Sequence, residues 1–300
     1  MMVVETDWLS IAYLEDGAAD GWPVILSHGF PYDVHAYDDV VPIIVAAGGR
    51  VIRPWCRGFG PTRFRSREII RSGQQTARAL DIVHLADALR LDQPILGGFD
   101  WGGNASCVAA ALWPGRFGGL VSYAGYDVID VDQQLKPLPP ALERVCWYQH
   151  LFQSERGREC LEKSRTELCR LLWRDWSPQW SFDDSTYAQS AVAFDNPDFV
   201  EVVIHCYRWM SGSAAGCPEL KTLECRLTQR PAISVPAVTL DGTLDPLKPG
   251  GTEDHAPLFV GRHDHRTVVC GHNLPQEQPH VFAQAVLDVR KWLVAAATAS

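Results

Sequence analysis

Three hundred residues suffice for one large domain, or for a core carrying a substantial insertion. Apolar residues at 46% and charged residues at 21% describe an ordinary globular chain, and a net charge of −9 with no long basic run argues against nucleic-acid binding. No stretch approaches the ~18 uncharged apolar residues of a membrane span, and the N-terminal MMVVETDWLS is acidic where an export signal would be basic and then apolar, so a cytoplasmic location is expected.

Residues 23–27 (PVILS) and 50–54 (RVIRP) are short and rich in β-branched side chains, as strands buried on both faces are. Apolar side chains recur at Ala79, Ile82, Val83, Ala86 and Leu89, which predicts a helix over 74–89. A strand over 94–99, a helix over 103–112 and a strand over 120–124 follow. Strands alternating with helices predict a mostly parallel sheet with helices on both faces. From 127 to 231 the pattern is helical, with hardly a strand signal, and it is crowded with bulky aromatics such as Trp173, Trp176 and Trp180. Alternation then resumes with strands over 234–240 and 266–270 and a helix over 279–296. The expected organisation is an α/β core, 1–126 and 231–300, interrupted by a helical cap at 127–230. Nine cysteines without a CxxC pair read as free thiols of a reducing compartment. The run Arg262-His263-Asp264-His265-Arg266 reads as a solvated loop rather than a metal site, and no metal or other cofactor is expected.

The stretch Gly98-Phe99-Asp100-Trp101-Gly102 joins a predicted strand to a predicted helix. An Asp there can simply cap the helix. It also fits a strand–turn–helix that presents a nucleophile, with glycines two before and two after it because side chains there would collide. Further landmarks stand at the ends of the expected strands. His28-Gly29-Phe30-Pro31 follows PVILS, Gly242-Thr243-Leu244-Asp245-Pro246 follows VPAVTL, and Gly271-His272-Asn273 follows RTVVC. Nucleophile, acid and histidine thus appear in order, with Asp241 a rival for the acid. On these motifs the chain resembles the α/β-hydrolase superfamily across nearly its whole length.

A carboxylate needs no base to become a nucleophile, since its ordinary pKa is ~3.9. It suits attack on a saturated carbon, giving an enzyme ester that water activated by His272 can hydrolyse, with Asp245 orienting the imidazole. The backbone N–H groups of Phe30 and Trp101 would meet the tetrahedral oxyanion. Epoxides and alkyl halides both offer such a carbon. An epoxide oxygen needs a proton donor, and tyrosine, protonated at pH 7, can supply it. Trp147-Tyr148-Gln149 and Cys206-Tyr207-Arg208 resemble the two cap-tyrosine motifs of the epoxide hydrolases, and HGFP is of the same kind. The resemblance, which extends to bacterial epoxide hydrolases of secondary metabolism, implies catalytic roles for Asp100, His272, Asp245, Tyr148 and Tyr207. It places His28, Pro31 and Trp147 about the substrate pocket, and implies an apolar epoxide, aromatic or polycyclic, as the partner of a monomer or homodimer. A haloalkane or haloacid dehalogenase is the enzymatic alternative; a non-catalytic ligand receptor is the alternative of another class.

Overall fold

Side chains along the central strands alternate between two apolar clusters, and this fixes the architecture. A computed structural model describes residues 1–298. Its strands are β1 (Met2–Glu5), β2 (Leu9–Asp16), β3 (Trp22–Ser27), β4 (Gly49–Pro54), β5 (Arg63–Phe64), β6 (Ile95–Gly98), β7 (Gly119–Tyr123), β8 (Ala237–Gly242) and β9 (His263–Val268). They form one sheet in the order β1-β2-β4-β3-β6-β7-β8-β9, with β5 beside β2. From β4 to β9 every neighbouring pair is parallel. Val24, Leu26, Val51, Ile95 and Val121 face one cluster; Ile25, Ile52, Leu96 and Leu120 face the other. Both faces are therefore covered, as parallel sheets require.

The helices are α1 (Val41–Ala46), α2 (Gln75–Ala88), α3 (Trp101–Leu112), α4 (Val131–Gln134), α5 (Pro140–Val145), α6 (Trp147–Leu151), α7 (Glu155–Lys163), α8 (Arg165–Trp176), α9 (Asp184–Ala191), α10 (Phe199–Met210), α11 (Lys221–Leu227), α12 (Leu274–Glu277) and α13 (Pro279–Thr298). Helices α1 and α13 bury Ile44, Phe282 and Val286 on one face of the sheet, while α2 and α3 bury Ile82, Ala86 and Val108 on the other. Helices α4 to α11 all lie between β7 and β8, as the helical cap insertion. In α8 the buried residues Leu168, Cys169, Leu172, Trp173 and Trp176 share one face, so both tryptophans point at the core. Trp173 and Trp176 join the same apolar cluster as Phe30 and Phe99, so cap and sheet have one continuous interior.

Three features differ from the sequence reading. The N-terminus adds an antiparallel edge, β1 and β2, with β2 also pairing β4 antiparallel. Strand β8 runs to Gly242, two residues beyond the expected end. The run 262–266 is not a loop: His263 to Arg266 open the edge strand β9, paired with Ala237 to Leu240. As an edge strand it can carry charge, and its charges find partners on β8, on β9 itself and on α13. Arg266 pairs with Asp264 and Asp288, His265 with Asp241, and His263 stacks on Phe259 at 4.1 Å. Among the described residues no helix is long and apolar enough to cross a membrane. All nine cysteines are free, and six are buried.

Two glycines let β3, β6 and α3 approach. A Cβ at Gly102 would overlap the Ser27 carbonyl, and one at Gly98 would overlap the Gly102 carbonyl. Since these neighbours are backbone, nothing can rotate away. Gly102→Ala is expected to lower stability by about 3 kcal/mol, the upper end of overpacking costs. Urea unfolding of the variant with an unchanged midpoint would show that the approach is not tight.

Candidate active site

Strand β6 ends at Gly98 and α3 starts at Trp101, so the chain must reverse within two residues. Asp100 accomplishes this with φ 51° and ψ −131°, outside the regions that side chains favour. Such a backbone costs about 1–3 kcal/mol and persists only where its surroundings hold it. They do so through the carboxylate. Oδ1 accepts the amide of Trp101 at 2.6 Å and that of Phe30 at 2.7 Å. The Phe30 turn comes this close because residue 29 is glycine: a Cβ there would stand 2.6 Å from the Asp100 carboxyl carbon.

The second oxygen, Oδ2, lies 3.3 Å from His272 Nε2. On the other side of the ring, Nδ1 meets Asp245 Oδ2 at 2.8 Å. Asp245 is fixed in turn: Oδ1 accepts the Leu247 amide, and the Tyr123 hydroxyl lies 2.8 Å from both Oδ2 and the Gly271 carbonyl. Burial opposes charge on His272, yet the Asp245 carboxylate and the hydrogen bond to Asp100 outweigh it and hold the imidazolium up to about 10. Burial likewise pushes Asp245 up, but the His272 charge brings it below the ordinary carboxylate range. Asp241, the rival acid, faces elsewhere, accepting from Thr252 and His265.

Above Asp100 opens a cavity of about 320 Å³, whose wall includes His272, Trp101, Tyr148 and Tyr207. Tyr148 comes from α6 and Tyr207 from α10, where Phe199, Val203, Cys206 and Tyr207 follow helical spacing on the buried face. Their rings lie 5.3 Å apart and perpendicular. Gln149 donates to the Tyr148 oxygen at 3.1 Å. Burial raises both phenols well above 10, with Asp100 adding to the effect, so both are protonated at neutral pH.

The structure therefore brings Asp100, His272, Asp245, Tyr148, Tyr207 and the amides of Phe30 and Trp101 together. His28, Pro31 and Trp147 do not line the cavity. His28 Nε2 accepts the Cys56 amide and Nδ1 donates to the Gly29 carbonyl; burial pushes its pKa down to about 4, so it stays neutral. Pro31 presents its carbonyl to Trp173 of the cap at 2.7 Å, and Trp147 packs edge-on against Tyr148 from outside. Sequence reasoning missed Tyr123, although its place at the end of β7, level with the ends of β6 and β8, offered a signal. It also missed the polar wall of Arg78, Asn104, Asp127 and Lys248, for which no motif exists. Among the described residues, no group of three or more His, Cys, Asp and Glu side chains could hold a metal ion.

Comparison with known proteins agrees with this geometry. The family model described as alpha/beta hydrolase fold matches residues 23–247. The crystal structure of a candidate epoxide hydrolase from Klebsiella pneumoniae is similar over 97% of both chains, with a TM-score of 0.94 and 41% identity. An epoxide hydrolase from Caballeronia sordidicola is 32% identical over 114 residues, 38% of this chain and 33% of that one. A haloalkane dehalogenase from Psychrobacter cryohalolentis is 34% identical over 113 residues, 38% of this chain and 37% of that one. The matches to these last two span only about a third of their length. By its sheet order, by the turn that carries Asp100 and by the extent of these matches, the chain belongs to the α/β-hydrolase fold family.

Proposed function

We propose that the chain is an epoxide hydrolase, with residues 127–230 as the cap and 1–126 and 231–300 as the core. The observation that carries this reading is the pair of protonated phenols, Tyr148 and Tyr207, in the wall of the cavity that opens on Asp100. An epoxide between them would meet a nucleophile on one side and acids on the other. The substrate is an apolar-bodied epoxide, aromatic or fused-ring, because the cap contributes Ile129, Leu138, Leu142 and Met210 to the cavity.

In the first step Asp100 Oδ2 attacks the epoxide carbon, since Oδ1 is already held by two amides. The carbon–oxygen bond breaks, and a phenol gives its proton to the departing alkoxide. Asp100 is now a neutral ester, and His272 has lost one of the two carboxylates that kept it charged. Its proton returns to the phenolate. Neutral His272 then takes a proton from water, hydroxide adds to the ester carbonyl, and the oxyanion forms on Oδ1 between the Phe30 and Trp101 amides. Collapse passes the remaining hydroxyl proton to the leaving alkoxide, releases the diol and restores Asp100 beside a charged His272.

His272→Gln should still be alkylated but not hydrolyse the ester. Intact mass spectrometry after mixing with an aryl epoxide should show the protein plus one substrate mass. An inactive Asp100→Asn variant, together with an adduct-free His272→Gln variant, would favour direct attack by water.

Charge coupling between Asp100 and His272 has a stability signature. A histidine held at about 10 when folded, against ~6.5 unfolded, contributes stability present in full below pH 6.5 and lost as pH rises toward 10. Asp100→Asn removes one supporting charge, so its Tm should fall less between pH 7 and pH 10 than that of the unsubstituted protein. Equal falls in both would exclude the coupling.

The phenols separate the epoxide reading from a dehalogenase using the same nucleophile. Tyr148→Phe or Tyr207→Phe should slow alkylation by an epoxide by up to about 10²–10⁴-fold, and the double variant by more. Halide departs without a proton, so a dehalogenase would keep most of its rate. A near-normal pre-steady-state alkylation rate in the double variant would sink the epoxide assignment.

A further inference from the structure

The cavity has a polar wall that the chemistry above does not use. Five charged side chains line it: Asp100, His272, Asp127, Lys248 and Arg78. Asp100 faces His272, and Lys248 pairs with Asp127 at 3.3 Å. Arg78 alone has no carboxylate within ion-pair distance among the described residues. Its isolation stands out against the two other buried arginines. Arg53 pairs with Asp16 and Asp38, and Arg57 with Asp81.

Arg78 projects from the first turn of α2 and is 3% exposed. Its guanidinium lies over the Trp101 ring, 4.7 Å from the centroid. Of its five N–H groups, one Nη2 donates to Asn104 Oδ1 at 2.8 Å, and one Nη1 to Cys206 Sγ, a weak acceptor, at 3.0 Å. Nε has no partner. Neither an aromatic face, an amide nor a thiol neutralises the charge, and the partly buried Glu224 carboxylate feels it only from beyond ion-pair distance; a buried guanidinium without a contacting counter-ion is disfavoured. Asn104 cannot turn toward anything else, because its Nδ2 donates to the Asp127 carbonyl at 2.6 Å and to Gln75 Oε1. The guanidinium is thus pinned beside the residue that follows the nucleophile, in the wall of the substrate cavity, with a second N–H on each Nη unassigned.

We infer that Arg78 is the recognition site for a carboxylate carried by the epoxide substrate. A carboxylate supplies the missing charge and accepts several N–H groups in one plane. A phosphate would bring a second negative charge into a cavity that already holds Asp100 and Asp127. The substrate class is then an epoxy acid: its epoxide between Asp100 and the phenols, its carboxylate beside Trp101 at Arg78, its apolar body against the cap. This rests on the epoxide hydrolase reading for its chemistry, though not for its binding.

The test pairs 3-phenylglycidate with its methyl ester, which lacks the charge and adds one methyl group. The unsubstituted protein should favour the acid about 10–100-fold in kcat/KM, mostly through KM. Arg78→Gln should bring the acid-to-ester ratio close to 1, whatever its overall activity, and Arg78→Lys should restore part of it. A ratio that survives in Arg78→Gln, or the absence of any preference in the unsubstituted protein, would overturn the proposal. An inert pair, cinnamate and cinnamamide, reads the same contact by calorimetry without any reaction. If neither epoxide is hydrolysed, the epoxide reading fails, and the carboxylate site stands only if cinnamate binds about tenfold tighter than cinnamamide and loses that advantage in Arg78→Gln. Equal binding of the two amounts to its refutation.

Discussion

Three stretches of backbone around Asp100 lie closer together than side chains allow, and the site depends on that closeness. The end of β3, the turn at 28–30 and the start of α3 converge because residues 29, 98 and 102 lack a Cβ. Convergence lets two amides from distant parts of the chain, Phe30 and Trp101, reach one carboxylate oxygen. Those hydrogen bonds oppose the strain of a positive φ at Asp100 and leave Oδ2 free to face the cavity. An N-cap is therefore part of the description, since Asp100 does accept the first amide of α3. It is not the whole, because an ordinary cap has an extended backbone, and the second amide comes from the turn that follows β3.

Electrostatics build on the same geometry. His272 sits between two carboxylates, one of which, Asp245, is withdrawn from the cavity and held by Tyr123 and the Leu247 amide. The other is the proposed nucleophile. Such an arrangement makes the protonation of His272 depend on whether Asp100 carries charge. A permanently neutral histidine would leave two carboxylates, Asp245 buried and Asp100 partly so, facing each other without a cation between them. A permanently charged one could not take a proton from water. In the proposed mechanism, consuming the Asp100 charge in an ester resolves the conflict, and it does so only in the step where a base is needed.

Much of this was legible in the sequence, for reasons that can be named. Strands β3, β4, β6 and β7 are buried on both faces and read as short apolar runs within a residue or two of their true ends. Glycines spaced two either side of Asp100 mark the turn, and strand-end motifs mark His272 and Asp245. Edges were harder. Strand β9 carries His263, Asp264, His265 and Arg266, a composition that reads as a loop because its partners, Asp241 and Asp288, are distant in the chain. The N-terminal strands were overlooked although Leu9, Ile11 and Tyr13 alternate. His28 looked like a pocket residue because it precedes the oxyanion turn; its ring instead turns inward to the Cys56 amide.

The polar wall of the cavity was invisible for a different reason. Catalytic groups of this fold stand at strand ends, where the local backbone leaves a signature in spacing and glycine. Arg78, Asn104, Asp127 and Lys248 stand on the flanks of helices and on loops, where any surface residue has the same local pattern. Their meaning arises only from burial and from what each is paired with. The same fold can therefore keep its reacting groups fixed while the groups that choose the substrate vary without trace in any motif. On this view the carboxylate at Asp100 identifies the bond that is broken, and the lone guanidinium at Arg78, one ring away across Trp101, identifies the molecule that carries it.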